Sequence, residues 1–268
     1  LERIGGPGAW CTDNDPEELT KIKKWTKKAA GLLPEFKGER LDFYSLTEIT
    51  EAAAEALSTH VGYVGIENVG EISDAALESL SKLNGDLKLS IQELGVNGAK
   101  ALSNHKHTLI LEALQSLSTE AAEELIKHST PLSVGSYCDD LPLEELSSHQ
   151  GKLAVGLDHL HVDEAETLVK HQGGHLELGG VTDPEDDVFE ILSRYKGDLI
   201  LDGISELSDA AAVSLSSHKG RLGLQGLQQI SAEAIEALEK HQGLIENQQP
   251  SDFLNEIYNP ENDEEEED

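Results

Sequence analysis

The sequence predicts an α/β protein, a right-handed solenoid of β-α repeats with a parallel sheet on one face and helices on the other. Three observations lead to this prediction. Two apolar residues separated by one position recur about every 23 residues, a serine or threonine that suits a helix start follows in phase, and a histidine or glycine that suits a helix end closes the unit. The clearest copy is 222–243, LGLQGLQQISAEAIEALEKHQG.

The repeats align on the first apolar residue of each strand. A pair such as Leu222 and Leu224 places both side chains on one face, because successive strand residues point to opposite faces. The first residues are separated by 23, 23, 22, 23, 21, 23, 23 and 23 positions, a period typical of solenoid repeats. They are Leu41, Val64, Leu87, Leu109, Leu132, Leu153, Leu176, Leu199 and Leu222. We therefore predict nine repeats over 41–245.

Each predicted helix begins at a residue that can cap it. The hydroxyl of Ser231 can accept from the first free amides of a helix, and an acidic residue nearby suits the positive end of the dipole. An apolar stripe then runs along about ten residues, formed by Ala234, Ile235 and Leu238. His241 and Gly243 are expected to end the helix, the glycine in a left-handed conformation. The equivalent capping residues are Thr50, Ser73, Ser118 and Ser208.

These nine copies resemble leucine-rich repeats, and the resemblance covers about 41–245. The strand half matches in Leu199-x-Leu201 and Leu222-x-Leu224, and the helical half is similar to the longer, α-helix-containing repeats of that family. The copies resemble divergent, bacterial-like repeats of about 23 residues. Where the family usually has Asn or Cys after the strand, this chain has an apolar residue, as at Leu114, Val181, Ile204 and Leu227. An asparagine ladder is therefore not expected. The resemblance implies a scaffold for protein–protein recognition.

The flanking segments differ from the repeats. Residues 1–40 predict a helical cap over the first repeat, with Trp25 in its core and lysines around the remainder. Such a basic helix could also touch a membrane or nucleic acid, but covering the first repeat explains it better. Residues 246–258 predict a C-terminal cap, and 259–268 an acidic tail too repulsive to fold by itself.

Composition limits the core and the compartment. The chain has 268 residues, of which 38% are hydrophobic and 4% aromatic, so its core must consist of Leu, Ile, Val and Ala. It has no apolar run long enough to span a membrane and no visible signal peptide, which favours a cytoplasmic location. Cys11 and Cys138 are distant in sequence, and we interpret them as free thiols in preference to a disulfide.

Histidines and acidic clusters raise the question of metal binding. Seven histidines share one repeat position, at 60, 105, 128, 149, 171, 218 and 241. We interpret them as structural, because imidazoles at helix ends can donate to free carbonyls near the negative end of the dipole. His159 and His161, beside Asp158 and Asp163, lack a third ligand at a defined spacing. The acidic stretch 183–187 lacks the spacing of a calcium loop. We predict no metal and no cofactor.

Catalytic motifs are not apparent in the sequence. It contains no Gly-rich phosphate loop after a strand, no nucleophile elbow and no HExxH. Its 52 acidic residues make accidental carboxylate pairs unavoidable and therefore uninformative. We predict a protein that is not an enzyme.

The exposed face of the predicted sheet is the candidate binding surface. The residues just before, between and just after the two strand apolars point to this face. Counting histidine as neutral, these 27 positions hold a charge of only about −3 of the total −32. The candidate partner-binding residues are Tyr44, Tyr63, Lys88, Ile110, Glu112, Glu177, Ile200, Asp202, Arg221 and Gln225.

Two functions follow from the sequence. The sheet face could bind another protein, or the negative surface and tail could bind a basic protein in the manner of acidic chaperones. The charge could also serve solubility alone. Nucleic acid is disfavoured as a partner by the sign of the charge. The sequence does not indicate which protein is bound or what the oligomeric state is.

Overall fold

The computed structural model describes residues 39–135 and 141–257. The chain divides into two compact units, Leu1–Gly151 and Lys152–Asp268. Most of the predicted N-terminal cap, both cysteines and the acidic tail lie outside the described residues.

The first unit alternates strands and helices. Five strands form a parallel sheet in chain order: β1 (Arg40–Phe43), β2 (Tyr63–Ile66), β3 (Leu87–Leu89), β4 (Leu109–Leu111) and β5 (Leu132–Val134). Each strand precedes a helix: α1 (Glu51–Leu57), α2 (Asp74–Leu80), α3 (Val96–Leu102), α4 (Thr119–Leu125) and α5 (Leu143–Leu146). Successive helices pack against one another.

The second unit continues the same alternation. Its main strands are β6 (Leu153–Val155), β7 (His175–Glu177), β8 (Asp198–Ile200) and β10 (Leu222–Gly223), parallel and in that order. A small parallel pair joins β9 (Glu206–Leu207) to β11 (Gln229–Ile230). The helices are α6 (Val162–Leu168), α7 (Asp186–Leu192), α8 (Asp209–Ser216), α9 (Ala232–Leu238) and α10 (Pro250–Ile257).

The strand register confirms the predicted phase of the repeats. In the first unit Leu41 pairs with Val64, Val64 with Leu87, Leu87 with Leu109, and Leu109 with Leu132. In the second unit Leu153 pairs with Leu176, Leu176 with Leu199, and Leu199 with Leu222. Within residues 39–135 and 141–257, nine parallel strands alternate with helices, which confirms the predicted α/β solenoid.

The predicted capping residues are confirmed as well. The hydroxyls of Thr50, Ser73, Ser118, Ser208 and Ser231 each accept a hydrogen bond from the amide three residues later, at 3.0–3.3 Å. Ser208 also donates to Asp186, at the start of the preceding helix, and Ser231 donates to Asp209 in the same way. The helices are shorter than expected: most have seven residues, not about ten.

The core consists mainly of leucines from strands and helices. The apolar residues that follow the strands, Leu114, Val181, Ile204 and Leu227, are all buried. They therefore extend the core under the loops that follow the strands. Within 39–135 and 141–257 no helix is long and apolar enough to cross a membrane.

The expectation that Gly243 adopts a left-handed conformation is wrong. The described glycines with positive φ are Gly62, Gly135 and Gly174. Gly243 is needed for a different reason: a Cβ there would lie 2.3 Å from the carbonyl oxygen of Gly220. Gly220 has the same relation to Gly197, at 2.0 Å. Glycine at residues 220 and 243 therefore lets each turn pack directly against the turn of the preceding repeat.

The histidines form a buried column in each unit, and all seven are 6% exposed or less. Nδ1 of His105 lies 3.2 Å from the carbonyl oxygen of Ser81, at the end of α2, and Nδ1 of His218 lies 3.3 Å from that of Ser193, at the end of α7. The predicted bond to a helix-end carbonyl is thus present, but the carbonyl belongs to the preceding repeat. Each such imidazole links two repeats.

Gly220→Ala should strongly destabilise the second unit, because the added methyl group would overlap backbone that cannot move away. We expect a loss of about 3 kcal/mol or more in the free energy of unfolding. Gly70→Ala is the matched control, since a Cβ there meets nothing within 4 Å; it should change stability by less than about 1 kcal/mol. Urea denaturation followed by circular dichroism measures both. Equal effects would contradict the close packing of the turns.

Candidate functional site

The predicted alternation along the strands places polar side chains on one face of each sheet. In β3, Leu87 and Leu89 are buried while Lys88 between them is partly exposed. The same pattern places Asp42, Ile110 and Ser133 on the partly exposed side of β1, β4 and β5. Nothing in the backbone geometry distinguishes one of these positions from another. The side chains therefore determine what each part of the face can bind.

An aromatic patch occupies the face at β1 and β2, formed by Arg40, Asp42, Tyr44 and Tyr63. The guanidinium carbon of Arg40 lies 4.1 Å from the centre of the Tyr63 ring, a cation–π distance. Arg40 Nε also donates to Asp42 Oδ2 at 2.5 Å, and this bond raises the pKa of Arg40 further above its usual value. Tyr44 is 38% exposed.

Gly65 determines how Tyr63 lies on the sheet. A Cβ at Gly65 would come within 2.7 Å of Asp42 Oδ1 and within 2.9 Å of the Tyr63 hydroxyl. The ring and the carboxylate therefore occupy space that a side chain at residue 65 would fill. Burial, with a smaller contribution from Asp42, raises the pKa of Tyr63, so its hydroxyl stays protonated at neutral pH. The patch presents a fixed, neutral phenol beside a paired guanidinium.

A charged cluster follows on the next strands. Lys88 Nζ lies 2.8 Å from Glu112 Oε2 and 3.3 Å from Glu67 Oε1. The bond to Glu112 raises the pKa of Lys88, so its ammonium stays charged. One lysine thereby balances half the charge of two carboxylates, and the cluster has a formal charge of −1. Ile110, partly exposed, lies on the adjacent strand.

The face of the second unit carries another set of paired charges. The ring of His175 lies 3.8 Å from a carboxylate oxygen of Glu177 and 3.9 Å from one of Asp198. Arg221 Nε lies 3.7 Å from Asp198, and its Nη1 donates to Asn247 Oδ1 at 2.9 Å. His175 lowers the pKa of Glu177. Asp198 is thus neutralised in part by the guanidinium of Arg221.

The last predicted residues differ from one another in exposure. Gln225 is exposed, and its backbone amide donates to Asp202 Oδ1 at 3.1 Å. Ile200 is only 6% exposed, so the expectation that it lines an exposed face is wrong. Gly223 is its partner on β10, and two methyl carbons of Ile200 lie 2.8 Å from the place a Cβ would occupy there. The glycine thus leaves room for the isoleucine to lie flat on the sheet.

Four residues that the sequence did not single out contact the predicted residues directly: Arg40, Glu67, His175 and Asp198. The signal was present in the aligned repeats, since oppositely charged residues fall in neighbouring columns. Glu67, Lys88 and Glu112 lie on three successive repeats in this way. The alternation along a strand predicts on which face a side chain lies, but it does not predict which neighbouring side chains that side chain contacts.

The two clusters considered for metal binding lie together in the second unit. A cavity of about 440 Å³ is lined by His159, His161, Asp158, Asp163, Asp183 and Glu185, over an apolar floor that includes Leu160 and Val181. The sequence did not predict that 158–163 and 183–185 would meet. Even so, no three His, Cys, Asp or Glu side chains of the described ranges are arranged to hold a metal ion.

Comparison with known proteins adds little to this description. No protein-family model matches the sequence, and no curated protein matches it. Among solved structures, an internalin from Listeria monocytogenes strain 4b F2365 is similar over 85% of this chain and 75% of its own, with 15% sequence identity and a TM-score of 0.44. The parallel strands and repeating helices themselves fit a leucine-rich-repeat-like solenoid.

Ile200→Ala should behave as a core substitution although the residue lies on the sheet face. We expect a loss of about 2–4 kcal/mol in the free energy of unfolding, because a buried aliphatic side chain leaves a cavity. Ile110→Ala, at the equivalent and partly exposed position of β4, should cost clearly less. Urea denaturation of both variants measures the difference. If Ile200→Ala were the milder change, the burial described here would be contradicted.

Proposed function

We propose that this chain is a divergent leucine-rich-repeat protein that binds another protein through its sheet face, without catalysis. The observation that best supports the proposal is the aromatic patch of the first unit. Tyrosine and arginine are enriched among residues that dominate binding energies. Only 4% of the chain is aromatic, yet Tyr63 lies against the guanidinium of Arg40 on this face, and Tyr44, directly after β1, is 38% exposed.

Rigidity also favours the patch as a binding surface. Arg40 is held by Asp42 and by the ring of Tyr63, and that ring lies in the space left by Gly65. Side chains that are already ordered lose less conformational entropy on association. The patch is therefore suited to bind with little rearrangement.

The neighbouring charged cluster can provide selectivity. Lys88, Glu67 and Glu112 satisfy one another in the free protein, so a partner that buries them must offer matching polar groups. Carboxylates paired in this way are poor candidates for acid or base catalysis, which supports a binding role. We expect Tyr44 and Tyr63 to provide affinity, and Lys88, Glu112 and the partly exposed Ile110 to define the partner.

The second unit offers a weaker surface of the same kind. Its predicted residues Glu177, Asp202, Arg221 and Gln225 are polar, and Ile200 is buried, so no exposed aromatic anchor stands among them. We propose that they contribute rim contacts, whose loss changes affinity less than loss of the tyrosines.

An acidic chaperone is the second candidate, and one observation favours it. Acidic residues occupy the first turn of most repeat helices, including Glu51, Asp74, Glu120, Asp163 and Asp209. With a formal charge of −32 for the chain, this acidic edge would attract a basic protein and accelerate its association. The attraction would weaken as salt is added.

The binding surface can be mapped by placing a photo-crosslinking amino acid at Tyr44 in the full chain. The control carries it at Val213, a 59% exposed position on α8. We expect a protein crosslinked from residue 44 but not from residue 213. The same protein should bind a Tyr63→Ala variant about 10- to 30-fold more weakly, as for a dominant contact residue, and Val213→Ala normally. Equal crosslinking from both positions, with unchanged binding to Tyr63→Ala, would refute the sheet-face site.

Deleting 259–268 separates the two candidate functions. If the sheet face binds the partner, affinity measured by calorimetry in 0.15 M salt should change by less than about twofold. The Tyr63→Ala variant should remain defective in the shortened chain. Loss of binding on deletion, together with loss in 0.5 M salt for the intact chain, would favour the acidic chaperone.

A further inference from the structure

We propose that the two buried histidine columns form an acid-triggered unfolding switch, in which each unit opens in mild acid because His105 and His128 in the first unit, and His218 in the second, have no hydrogen-bond acceptor for a second proton among the described residues. The column of the first unit consists of His60, Leu83, His105, His128 and His149. The column of the second unit consists of His171, Tyr195, His218 and His241. The inference does not depend on the proposed function.

Hydrogen bonding determines where the proton of His128 lies. Thr130 Oγ1 is 2.6 Å from the carbonyl oxygen of His107 and 2.9 Å from Nε2 of His128. The hydroxyl has one proton, and the carbonyl can only accept it, so Nε2 of His128 must donate to the hydroxyl oxygen. Nδ1 is therefore the unprotonated nitrogen, and within the described ranges it is buried without a hydrogen-bond partner. A proton added there would have no acceptor.

His105 and His218 show the same arrangement with the nitrogens exchanged. Their Nδ1 atoms face the carbonyl oxygens of Ser81 and Ser193, so Nδ1 carries the proton. Their Nε2 atoms are buried without a hydrogen-bond partner in the part of the chain that the structure describes. A second proton on either ring would again be a buried donor with nothing to bind, which is costly.

Stacking makes proton uptake harder still. The ring centres of His105 and His128 are 6.1 Å apart, those of His128 and His149 6.3 Å, and those of His218 and His241 6.1 Å. A charge on one ring therefore opposes a charge on the next. Once a unit opens, the rings enter water and can all be protonated together. This coupling makes the response steeper than that of one histidine.

The surroundings of each ring shift its pKa in opposite directions: burial and neighbouring imidazoles lower it, whereas backbone groups and carboxylates raise it. The pKa of His128 is lowered to about 4, mainly by burial and to a smaller extent by the rings of His105 and His149. Hydrogen bonding to the backbones of Pro131 and His107 raises it by less. Burial lowers the pKa of His105, and the ring of His107 lowers it further. The backbones of Ser81 and Gly85 and the carboxylate of Asp86 raise it. Burial also lowers the pKa of His60, against the backbone of Glu39. Desolvation is the largest effect in all three.

In the second unit the balance is similar. Burial lowers the pKa of His218. The backbones of Ser193, Gly197 and Arg221 and the carboxylate of Asp198 raise it by less. Burial lowers the pKa of His241 together with the ring of His218, and the opposing groups are the backbones of Gly220, Ser216 and His218. Asp86 and Asp198 are thus the carboxylates that weaken the switch, one in each unit.

The direction of the pH effect follows from these shifts. The folded protein binds fewer protons than the unfolded chain below the ordinary histidine pKa of 6.5. Stability is therefore complete above that pH and falls as the pH is lowered toward the folded values. For His128 alone, the unfolding equilibrium constant should rise about 20-fold between pH 7 and pH 5. Several such rings together should raise it far more.

His128→Leu is the decisive variant, because the first unit already has a leucine, Leu83, at this position, 2% exposed. We expect the pH dependence of the unfolding constant, from urea denaturation at pH 7 and pH 5, to fall by about 20-fold relative to the original chain. His159→Gln, at an exposed ring outside both columns, is the control for replacing a histidine. Tyr195→His should increase it in the second unit. An unchanged dependence in His128→Leu would refute the switch.

Ring-proton NMR of the unaltered full chain gives an independent test that needs no variant to fold. The resonances of His105, His128 and His218 should stay constant on acidification until they are lost together as the units open. If these three rings each titrate near pH 6.5 in a protein that remains folded, the proposal is wrong.

Discussion

The close packing of one turn against the next, just before the strands that follow Gly62, Gly85, Gly197 and Gly220, is the contact on which these repeats depend. At Gly85, Gly220 and Gly243 the carbonyl oxygen of the preceding turn occupies the place where a Cβ would lie. Parallel strands lie about 4.8 Å apart, and the turns that lead into them must approach equally closely. Because the distance between these turns is fixed, the strand and the capping residue that follow each turn align with those of the preceding repeat.

Most of the fold could be predicted from the sequence because its signals are local and repeated. A strand pair such as Leu222 and Leu224, followed by Ser231, specifies a strand, a turn and a helix start within about ten residues, and each was found where expected. What failed depended on neighbouring repeats. The backbone conformation of Gly243 does not explain why a glycine is needed there; the carbonyl oxygen of Gly220, one repeat earlier, does. In the same way, the ring of His218 bonds to a carbonyl at the end of the helix of the preceding repeat.

The candidate site was harder to predict for the same reason. Its face follows from alternation, but Ile200 was expected to be exposed and is covered because its strand partner is Gly223. The ion pairs of Lys88 involve residues more than 20 positions away, so their geometry requires the register and the rotamers together. Alignment of the repeats could have indicated which charges are neighbours. It could not have given the stacking of Arg40 on Tyr63.

Repetition also has a consequence for how such a chain can arise and change. Val64 and Leu87 occupy the same position in successive repeats, and the turns before them have equivalent neighbours. A duplication or excision of one whole period of the coding sequence would therefore join ends that already fit, with the glycine, the capping residue and the strand register all restored. A lineage could lengthen or shorten the array in single steps of 23 codons, while the side chains of the sheet face diverged independently.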